Sequence, residues 1–347
     1  MPVLQFFDST LRDGSHAIKH SLTPKNVVDY CSKIDNVGLK TVIVGHGNGL
    51  GASSLQVGLS KFSDHELLSA AKTALQKTKL GAYMIPGFGT IKDNLIPAID
   101  DGVDLLCIGC HCTEANTTKQ HIEYVRNKGK EAYGILMMYH LASTERILEE
   151  AQKMESYGAN GVILMDSAGA STPELVKRTI STLYNSLNIK IGFHAHNNLG
   201  LAVANSYTAI QEGACIIDGT LRGFGAGAGN CQLEALAALL IKNDYRFKID
   251  FYKLLDVSSE IMPEIMGKDM GLDPISIVSG LSGVFSAFKV HVLNAAKQFE
   301  VDPRDIFIEL GKRKVVAGQE DMIVEVAEQL RKKQDEDNAI YHLESLL

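Results

Sequence analysis

Residues 3–20, VLQFFDSTLRDGSHAIKH, contain the pattern that decides the fold of this chain. An apolar run suited to a buried strand, VLQFF at 3–7, is followed at 8–20 by two aspartates, two histidines, an arginine and a lysine. Similar apolar runs, many of them ending in polar residues, recur along the first 220 residues. The repetition of this unit, rather than any single motif, therefore indicates the fold.

Eight apolar, β-rich runs follow one another along the chain, at 3–7, 40–45, 80–85, 104–109, 132–138, 161–166, 189–196 and 215–220. Segments with a helical pattern occur at 24–36, 64–77, 115–128, 143–157, 173–187 and 199–213, and another follows at 230–241. Two of these open with a threonine N-cap and a proline, at Thr23 and Thr172. Near-continuous apolar strands that alternate with helices indicate parallel strands buried on both faces.

Eight such units predict an α/β fold of the (β/α)8 TIM-barrel class for residues 1–250. The alternative is a doubly wound open sheet, which usually has a glycine-rich turn after its first strand, and DSTLRDGS is not such a turn. From about residue 250 the pattern becomes helical, at 250–267, 275–299, 302–313 and 318–333. We therefore expect a helical C-terminal domain at 251–347.

Composition and charge restrict the class of protein. Of the 347 residues 45% are apolar and 22% are charged, which suits a globular protein with a large core. The net charge of −7, with no long basic run, argues against binding of nucleic acid or an anionic membrane. The chain starts without a signal-peptide pattern, and no run approaches the ~18 apolar residues of a membrane helix. We expect a cytoplasmic protein.

Three of the six cysteines lie in CIGCHC at 107–112, which contains the CxxCH string of a haem-attachment site. In a strand, Cys107 and Cys110 would face opposite sides, whereas haem attachment needs both thiols on one exposed loop. We therefore interpret these cysteines as small apolar strand residues. A cytoplasmic chain of this length does not need disulfides.

Catalytic residues of barrels of this kind come from the carboxyl ends of the strands. Polar side chains collect at the predicted strand ends, namely Asp8, Arg12, Asp13, His16, His46, His111, Tyr139, His140, Asp166, Ser167, His194, His196, Asn197 and Arg222. Seven of the eleven histidines fall there if the less clear His20 is included. Scattered surface histidines would not concentrate in this way, so we expect a site at the carboxyl-terminal mouth of the barrel.

His194 and His196, in the sequence HAH, form the most informative pair. Residues i and i+2 of a strand point the same way, so these two imidazoles project together. Two imidazoles and one carboxylate commonly bind a catalytic divalent metal that keeps open coordination positions. Asp13, just past the first strand, supplies the carboxylate. In the alternative interpretation, one histidine is a hydrogen-bonded core residue.

The run GFGAGAGN at 223–230 follows the last strand and precedes a helix, so an anion at that helix end is one interpretation. The run matches neither GxxxxGK[ST] nor a complete GxGxxG. A plainer interpretation is a loop that passes close to the site and needs residues without Cβ. Asn230 could then reach inward as a further oxygen ligand.

Several long motifs occur in order along the chain, including TLRDGSHAIKH (10–20), HGNGLGASS (46–54), MMYHLAS (137–143), KMESYGANGVILMDSAG (153–169), HAHNNLGLAVANS (194–206) and GQEDMIVEVA (318–327). These motifs resemble the 4-hydroxy-2-oxovalerate aldolases, metal-dependent pyruvate aldolases of the HMG-CoA-lyase-like superfamily. The resemblance covers nearly the whole chain. It implies a (β/α)8 barrel followed by a helical domain, which agrees with the pattern of strands and helices.

The resemblance implies a class II aldolase that cleaves 4-hydroxy-2-oxopentanoate, or a close 4-hydroxy-2-oxo acid, to pyruvate and an aldehyde such as acetaldehyde. The implied metal ligands are Asp13, His194 and His196, holding Mn²⁺ or another divalent metal such as Mg²⁺ or Co²⁺. Asp13 and His194 would also border the bound substrate. A Schiff-base aldolase would need a desolvated lysine at a strand end, and the nearest lysines, Lys19 and Lys40, do not lie at one.

Further roles follow from the same resemblance. Arg12 would bind the substrate and stabilise the enolate, His16 would be the general base, and Ser167 would contact the pyruvyl carboxylate. The family has an active-site tyrosine where this chain has Phe285, in SGVFSAF. A phenyl ring fills the same space without donating a hydrogen bond, so control of the C4 configuration and the range of aldehydes are in question. A water molecule or His291 could compensate.

The resemblance also implies a partner, an acylating acetaldehyde dehydrogenase, with the C-terminal domain as the partner-binding or communication domain of an oligomer. Two other functions stay open. A Claisen-type acyl-CoA lyase or synthase of the same superfamily would call for a basic patch near the rim, which the sequence does not show. A non-catalytic subunit that scaffolds the dehydrogenase would explain Phe285, but not why Arg12, Asp13 and His16 are all present.

Overall fold

The computed structural model describes residues 3–267 and 271–344. Eight parallel strands form a closed barrel in which each strand pairs with the next and the last pairs with the first. They are β1 (Gln5–Asp8), β2 (Thr41–Ile43), β3 (Lys79–Met84), β4 (Leu105–His111), β5 (Glu131–Met137), β6 (Gly161–Asp166), β7 (Lys190–Ala195) and β8 (Ile216–Gly219). The predicted (β/α)8 barrel is confirmed, and the alternative of an open doubly wound sheet is wrong.

Fifteen α-helices lie in this described part of the chain. They are α1 (Gly14–Ala17), α2 (Pro24–Ile34), α3 (Asp64–Ala74), α4 (Ile96–Asp100), α5 (Lys119–Asn127), α6 (Thr144–Ser156), α7 (Pro173–Ser186), α8 (Ala202–Gln211), α9 (Leu233–Lys242), α10 (Phe251–Glu260), α11 (Met262–Met266), α12 (Pro274–Ser282), α13 (Lys289–Phe299), α14 (Pro303–Lys312) and α15 (Asp321–Glu344). None of them is both long enough and apolar enough to cross a membrane.

The two predicted N-caps are present. The Thr23 hydroxyl accepts a hydrogen bond from the backbone N–H of Asn26, and the Thr172 hydroxyl accepts one from Leu175. Both caps satisfy N–H groups that a first helical turn leaves without intrahelical partners. The helix after β3 was not predicted, because Pro97 interrupts its pattern. In the structure a π-helical turn at Ile91–Leu95 leads into α4, and this proline occupies the first turn, where no N–H is needed.

The strands are apolar on both faces because each face meets a different core. The inner face fills the barrel with large side chains such as Phe7, Tyr83 and Ile135. The outer face packs against the surrounding helices in a larger cluster. Cys107 lies in the inner cluster and Cys110 in the outer one, as the strand interpretation predicts. All six cysteines are buried and free, so the haem-attachment interpretation is wrong.

The residues after the barrel build a second core. It contains Val284, Phe288, Phe307 and Val326, together with two residues of the barrel mouth. In contrast, side chains of α10 and α11, for example Leu254, belong to the cluster around the barrel. The predicted domain boundary at 250/251 stays a prediction, and this packing favours a division after residue 267. We call residues 271–344 the helical unit.

Candidate metal centre and active site

Asp13, His194 and His196 meet at the carboxyl-terminal mouth of the barrel. Each offers one ligand atom, and these atoms all lie within 4.8 Å of one another. His194 belongs to β7 and His196 follows it, with ring centroids 5.2 Å apart, as the period of two along a strand predicts. All three side chains are buried. The fold therefore brings together a carboxylate and two imidazoles that lie about 180 residues apart in sequence.

The two imidazoles each keep one unused ring nitrogen. Nε2 of His194 and Nδ1 of His196 are buried and have no hydrogen-bond partner among the described residues. An unpaired buried polar group costs about 1–3 kcal/mol, so two of them beside a carboxylate would be unfavourable in a purely structural cluster. Two imidazoles and a carboxylate with open positions suit a divalent metal. The residues present fit such an ion, and the interpretation of one histidine as a satisfied core residue is not favoured.

Asp218 orients His194 from behind. Its Oδ2 lies 2.9 Å from Nδ1 of His194, and both side chains are fully buried. The pairing of β7 with β8 places these two residues opposite each other. A carboxylate on one ring nitrogen fixes the tautomer that leaves the other nitrogen free for a metal. Asp218 was not predicted as a site residue, although a single carboxylate inside the apolar run CIIDGT was a signal.

Asp13 is held as a carboxylate by donors on both of its oxygens. Nη1 of Arg12 donates to Oδ1 at 2.8 Å, while the N–H of Ala226 at 3.0 Å and Nδ2 of Asn230 at 2.6 Å donate to Oδ2. Burial by itself would raise the pKa of Asp13, but Arg12 and the nearby imidazoles hold that pKa well below its usual range. Oδ1 of Asn230 is buried beside this carboxylate without a partner among the described residues, and its role as an oxygen ligand stays a prediction.

The glycine-rich loop at 223–230 approaches the site closely, as the plainer interpretation predicted. A Cβ at Gly225 would lie 2.4 Å from Oδ2 of Asp13 and 2.0 Å from Nδ2 of Asn230. No side chain fits at those distances, so a residue without Cβ is needed there. The backbone of this loop also supplies the Ala226 donor to Asp13.

Arg12 and His16 flank the carboxylate on the side of β2. Nη1 of Arg12 also donates to the carbonyl of Gly47 at 3.3 Å, and its guanidinium carbon lies 4.9 Å from the centroid of the Tyr83 ring. A Cβ at Gly47 would lie 2.3 Å from Nε2 of His16, so this loop too closes against a candidate catalytic side chain. Burial lowers the pKa of His16 to about 4, although the Asp13 carboxylate acts in the opposite direction.

The predicted strand-end histidines do not all share one role. His20 and His46 stack with ring centroids 3.6 Å apart, next to His16. Nδ1 of His46 accepts a hydrogen bond from the N–H of Asn48, and its Nε2 lies 3.0 Å from the carbonyl oxygen of Gly58. Burial lowers the pKa of both stacked imidazoles. Because both nitrogens of His46 bond to the loop after β2, we interpret the stacked pair as a support for that loop.

Ser167 and Phe285 border a cavity of about 550 Å³ between the rim of β3 to β6 and the helical unit. The Ser167 hydroxyl accepts a hydrogen bond from the N–H of Met138 at 3.2 Å, which leaves its own proton free to donate. Phe285 is largely buried, and its ring packs edge-on against Phe288. His111 also lines this cavity. A larger cavity of about 740 Å³ opens at the other end of the barrel, away from these residues.

Comparisons with known proteins cover nearly the whole chain. The HMGL-like family model matches residues 3–261, and the model of the DmpG-like communication domain matches residues 270–332. The 4-hydroxy-2-oxovalerate aldolase of Pectobacterium atrosepticum is 52% identical over 328 residues, which cover 94% of this chain and 96% of that protein. The 4-hydroxy-2-oxovalerate aldolase of Spirochaeta aurantia is 49% identical over 333 residues, which cover 96% and 97%.

Among solved structures, the carboxyl transferase domain from Rhizobium etli pyruvate carboxylase matches with a TM-score of 0.81. The match covers 95% of this chain and 60% of that chain at 13% identity, so it supports the fold alone. The relatives that are about half identical over nearly their whole length confirm the resemblance inferred from the motifs. The chain belongs to the HMGL-like family and, within it, to the 4-hydroxy-2-oxovalerate aldolases.

Proposed function

We propose that this protein is a class II aldolase, a carbon–carbon lyase that cleaves 4-hydroxy-2-oxopentanoate or a close 4-hydroxy-2-oxo acid to pyruvate and an aldehyde such as acetaldehyde. The observation that carries this proposal is the meeting of Asp13, His194 and His196 at one mouth, with their ligand atoms within 4.8 Å. Relatives named for this activity match this chain over more than nine-tenths of its length. We also propose a cytoplasmic location.

Asp13, His194 and His196 would hold the divalent cation. We propose Mn²⁺, the ion that the family resemblance implies, and Mg²⁺ and Co²⁺ are further candidates. When bound, the cation would supply a Lewis acid that polarises the 2-oxo carbonyl of the substrate. Asp218 would keep His194 in the tautomer that binds the ion.

His16 would accept the proton of the C4 hydroxyl. The lowered pKa keeps its imidazole neutral at pH 7, which is the form that can take up a proton. Binding of an anionic substrate beside it would raise that pKa toward neutrality. As the proton leaves, the C3–C4 bond breaks, the aldehyde departs, and the electron pair stays on the three-carbon fragment as pyruvate enolate. Protonation at C3 then gives pyruvate.

Arg12 would stabilise the charge that develops on the enolate oxygen. Its guanidinium is fixed by Asp13 and by the carbonyl of Gly47, so it needs no reorganisation as the charge forms. Ser167 would donate its free proton to the substrate carboxylate. Phe285 would form an apolar wall of the cavity near the C4 substituent, without a hydroxyl to select one configuration.

The test is pyruvate release from 4-hydroxy-2-oxopentanoate before and after treatment with EDTA. We expect chelation to abolish the release and Mn²⁺ to restore it, and borohydride with pyruvate to leave no covalent adduct. The two lysines nearest to a barrel rim fit that expectation, since Lys40 pairs with Glu131 at the opposite end and Lys19 is exposed. Activity that survives complete demetallation would overturn the proposal, and product from acetyl-CoA and a 2-oxo acid would favour the Claisen-type alternative.

The helical unit suggests a protein partner. Residues 270–332 match the DmpG-like communication domain. We propose that this region binds an acylating acetaldehyde dehydrogenase and that the two chains form an oligomer. Co-purification with a co-expressed dehydrogenase of that class, followed by size measurement, tests this, and two chains that elute separately would contradict it.

A further inference from the structure

Ser286 connects the helical unit to the mouth of the barrel. It lies in the turn between α12 and α13, directly after Phe285, and is fully buried. Its backbone N–H donates to the carbonyl oxygen of Ser167 at 3.0 Å, and its hydroxyl donates to Oδ1 of Asn198 at 2.9 Å. Ser167 follows β6 and Asn198 follows β7. One residue of the helical unit therefore holds the ends of two neighbouring strands.

Asn198 in turn forms a hydrogen bond back to the helical unit. Its Nδ2 donates to the carbonyl oxygen of Ser276, in the first turn of α12, at 3.2 Å. Asn198 and Ser276 are fully buried as well. A Cβ at Gly280 of α12 would lie only 2.8 Å from Cβ of Asn198, so the helix packs directly on this side chain. Both ends of the amide are thus occupied, which fixes its orientation.

The same serine contacts the loop that orients the metal ligands. A Cβ at Gly227 would lie 2.8 Å from Cβ of Ser286. Gly227 follows Ala226, whose N–H donates to Oδ2 of Asp13. The glycine-rich loop is therefore packed between the metal centre on one side and the turn of the helical unit on the other. Its small residues are needed at both contacts.

We propose that Ser286 is a positioning residue for the substrate cavity and acts through Asn198. We call Ser286, Asn198 and Ser276 the latch. The latch fixes the positions of Phe285 and Ser167 relative to the metal ligands. Phe285 precedes Ser286 in the chain, so the position of its ring follows the anchored turn. This inference rests on the proposed aldolase function and adds a residue to it.

The latch should act on substrate binding more than on the chemical step. Ser167 and Phe285 border the cavity that would receive the substrate carboxylate and the C4 substituent. Arg12 and Asp13, in contrast, are anchored to each other and to the loops after β2 and β8. Loss of the Ser286 hydroxyl would loosen the cavity wall while those anchors remain. The expected signature is a raised KM with little change in kcat.

The experiment is a double-mutant cycle on the full-length protein with Mn²⁺. We expect Ser286→Ala to raise KM for 4-hydroxy-2-oxopentanoate about fivefold to tenfold, the range for one buried hydrogen bond. Asn198→Ala also loses the bond to Ser276 and should raise KM at least as much, with kcat changed less than about twofold in both variants. Because Asn198→Ala already breaks the bond from Ser286 as well as its own bond to Ser276, the double variant should resemble Asn198→Ala alone. The matched control is Thr179→Val, which removes a buried hydroxyl bonded to Thr144 between α6 and α7. We expect this control to lower Tm and leave KM unchanged.

The proposal is overturned if Ser286→Ala lowers Tm as the control does but leaves KM within about twofold of the parent protein, or if the two effects on KM multiply in the double variant. Should Ser286→Ala not fold, Asn198→Ala breaks the bond from the barrel side and is judged by the same criteria. Calorimetry with oxalate and Mn²⁺ needs no turnover, and weaker oxalate binding by the latch variants than by Thr179→Val is expected. A parent protein that binds oxalate without releasing pyruvate would refute the aldolase function alone.

Discussion

The two ends of the barrel differ in how completely their polar side chains are paired. At the amino-terminal end, Glu131 accepts hydrogen bonds from Lys40, Lys79 and the hydroxyl of Tyr133. Burial would raise the pKa of Glu131, but these partners lower it to about 2. At the carboxyl-terminal end, His194 and His196 keep buried nitrogens without a partner among the described residues. The paired Glu131 carboxylate serves stability, whereas two unpaired imidazole nitrogens beside the Asp13 carboxylate mark a place for a ligand.

The largest difference in activity should appear between two variants, each with one substitution at one end of the barrel. We expect His194→Ala to lower kcat/KM by at least about a thousandfold, because loss of a bound Lewis acid removes several kcal/mol of transition-state stabilisation. The variant also leaves the buried Asp218 carboxylate without its imidazole partner, so we expect some loss of Tm beside the loss of activity. Glu131→Gln at the other end should lower Tm and keep kcat. Steady-state kinetics, bound-metal analysis and thermal melts on both variants measure these effects. A loss of kcat in Glu131→Gln as large as that in His194→Ala would contradict the proposed difference between the two ends of the barrel.

A second effect separates the base from the metal ligands. His16→Asn keeps a polar side chain near Arg12 but no longer accepts a proton, so we expect kcat to fall about 10²–10⁴-fold, the range for general base catalysis. Binding of Mn²⁺, measured by calorimetry, should remain as in the parent protein, because the ligand atoms of Asp13, His194 and His196 are untouched. Full activity of this variant would assign the base to another group.

A smaller effect should appear when His194 is kept and the side chain that hydrogen-bonds to it is changed. Asp218→Asn replaces the carboxylate beside Nδ1 of His194 with an amide of nearly the same shape. We expect Mn²⁺ affinity to fall about 10- to 100-fold, the usual range for such outer partners of a metal ligand. Calorimetric titration of the metal-free protein measures it. Unchanged affinity would mean that Asp218, like Glu131, has a structural role only.

The smallest effect concerns the cavity wall. Phe285→Tyr adds a hydroxyl next to the cavity that Ser167 also borders. We expect the ratio of kcat/KM for the two C4 enantiomers to change about fivefold to tenfold, the value of one hydrogen bond. Phe88→Tyr adds the same group elsewhere on this cavity and serves as the control. A ratio that moves equally in both variants would show that polarity of the cavity, and not the position of residue 285, sets the selectivity.

The sequence predicts most of the barrel because its signals are local. The strand at Gly161–Asp166 was predicted to the residue, since an apolar run between a glycine and an aspartate is unambiguous. The meeting of Asp13, His194 and His196 was predicted because strand periodicity and the common rim of parallel strands place residues without further information. The helix after β3 was not predicted because a proline usually interrupts a helical pattern. Only the structure shows that Pro97 lies in the first turn, where a helix tolerates proline.

Contacts that depend on register or on long-range packing could not be predicted. The role of Asp218 follows from the pairing of β7 with β8, which decides that it faces His194. The stacking of His20 on His46 depends on the path of the loop after β2. The bond between Ser286 and Asn198 joins residues 88 positions apart in two separate packing units. No local pattern in the sequence specifies such a pair.

The most direct measurement is anomalous diffraction at the manganese edge from crystals soaked with Mn²⁺ and oxalate. One strong peak bounded by the Asp13 carboxylate, Nε2 of His194 and Nδ1 of His196, with oxalate on its open side, is the predicted result. A protein that is active in the crystallisation solution but shows no peak there, or whose manganese sits on other residues, would contradict the claim that these three side chains hold the catalytic metal.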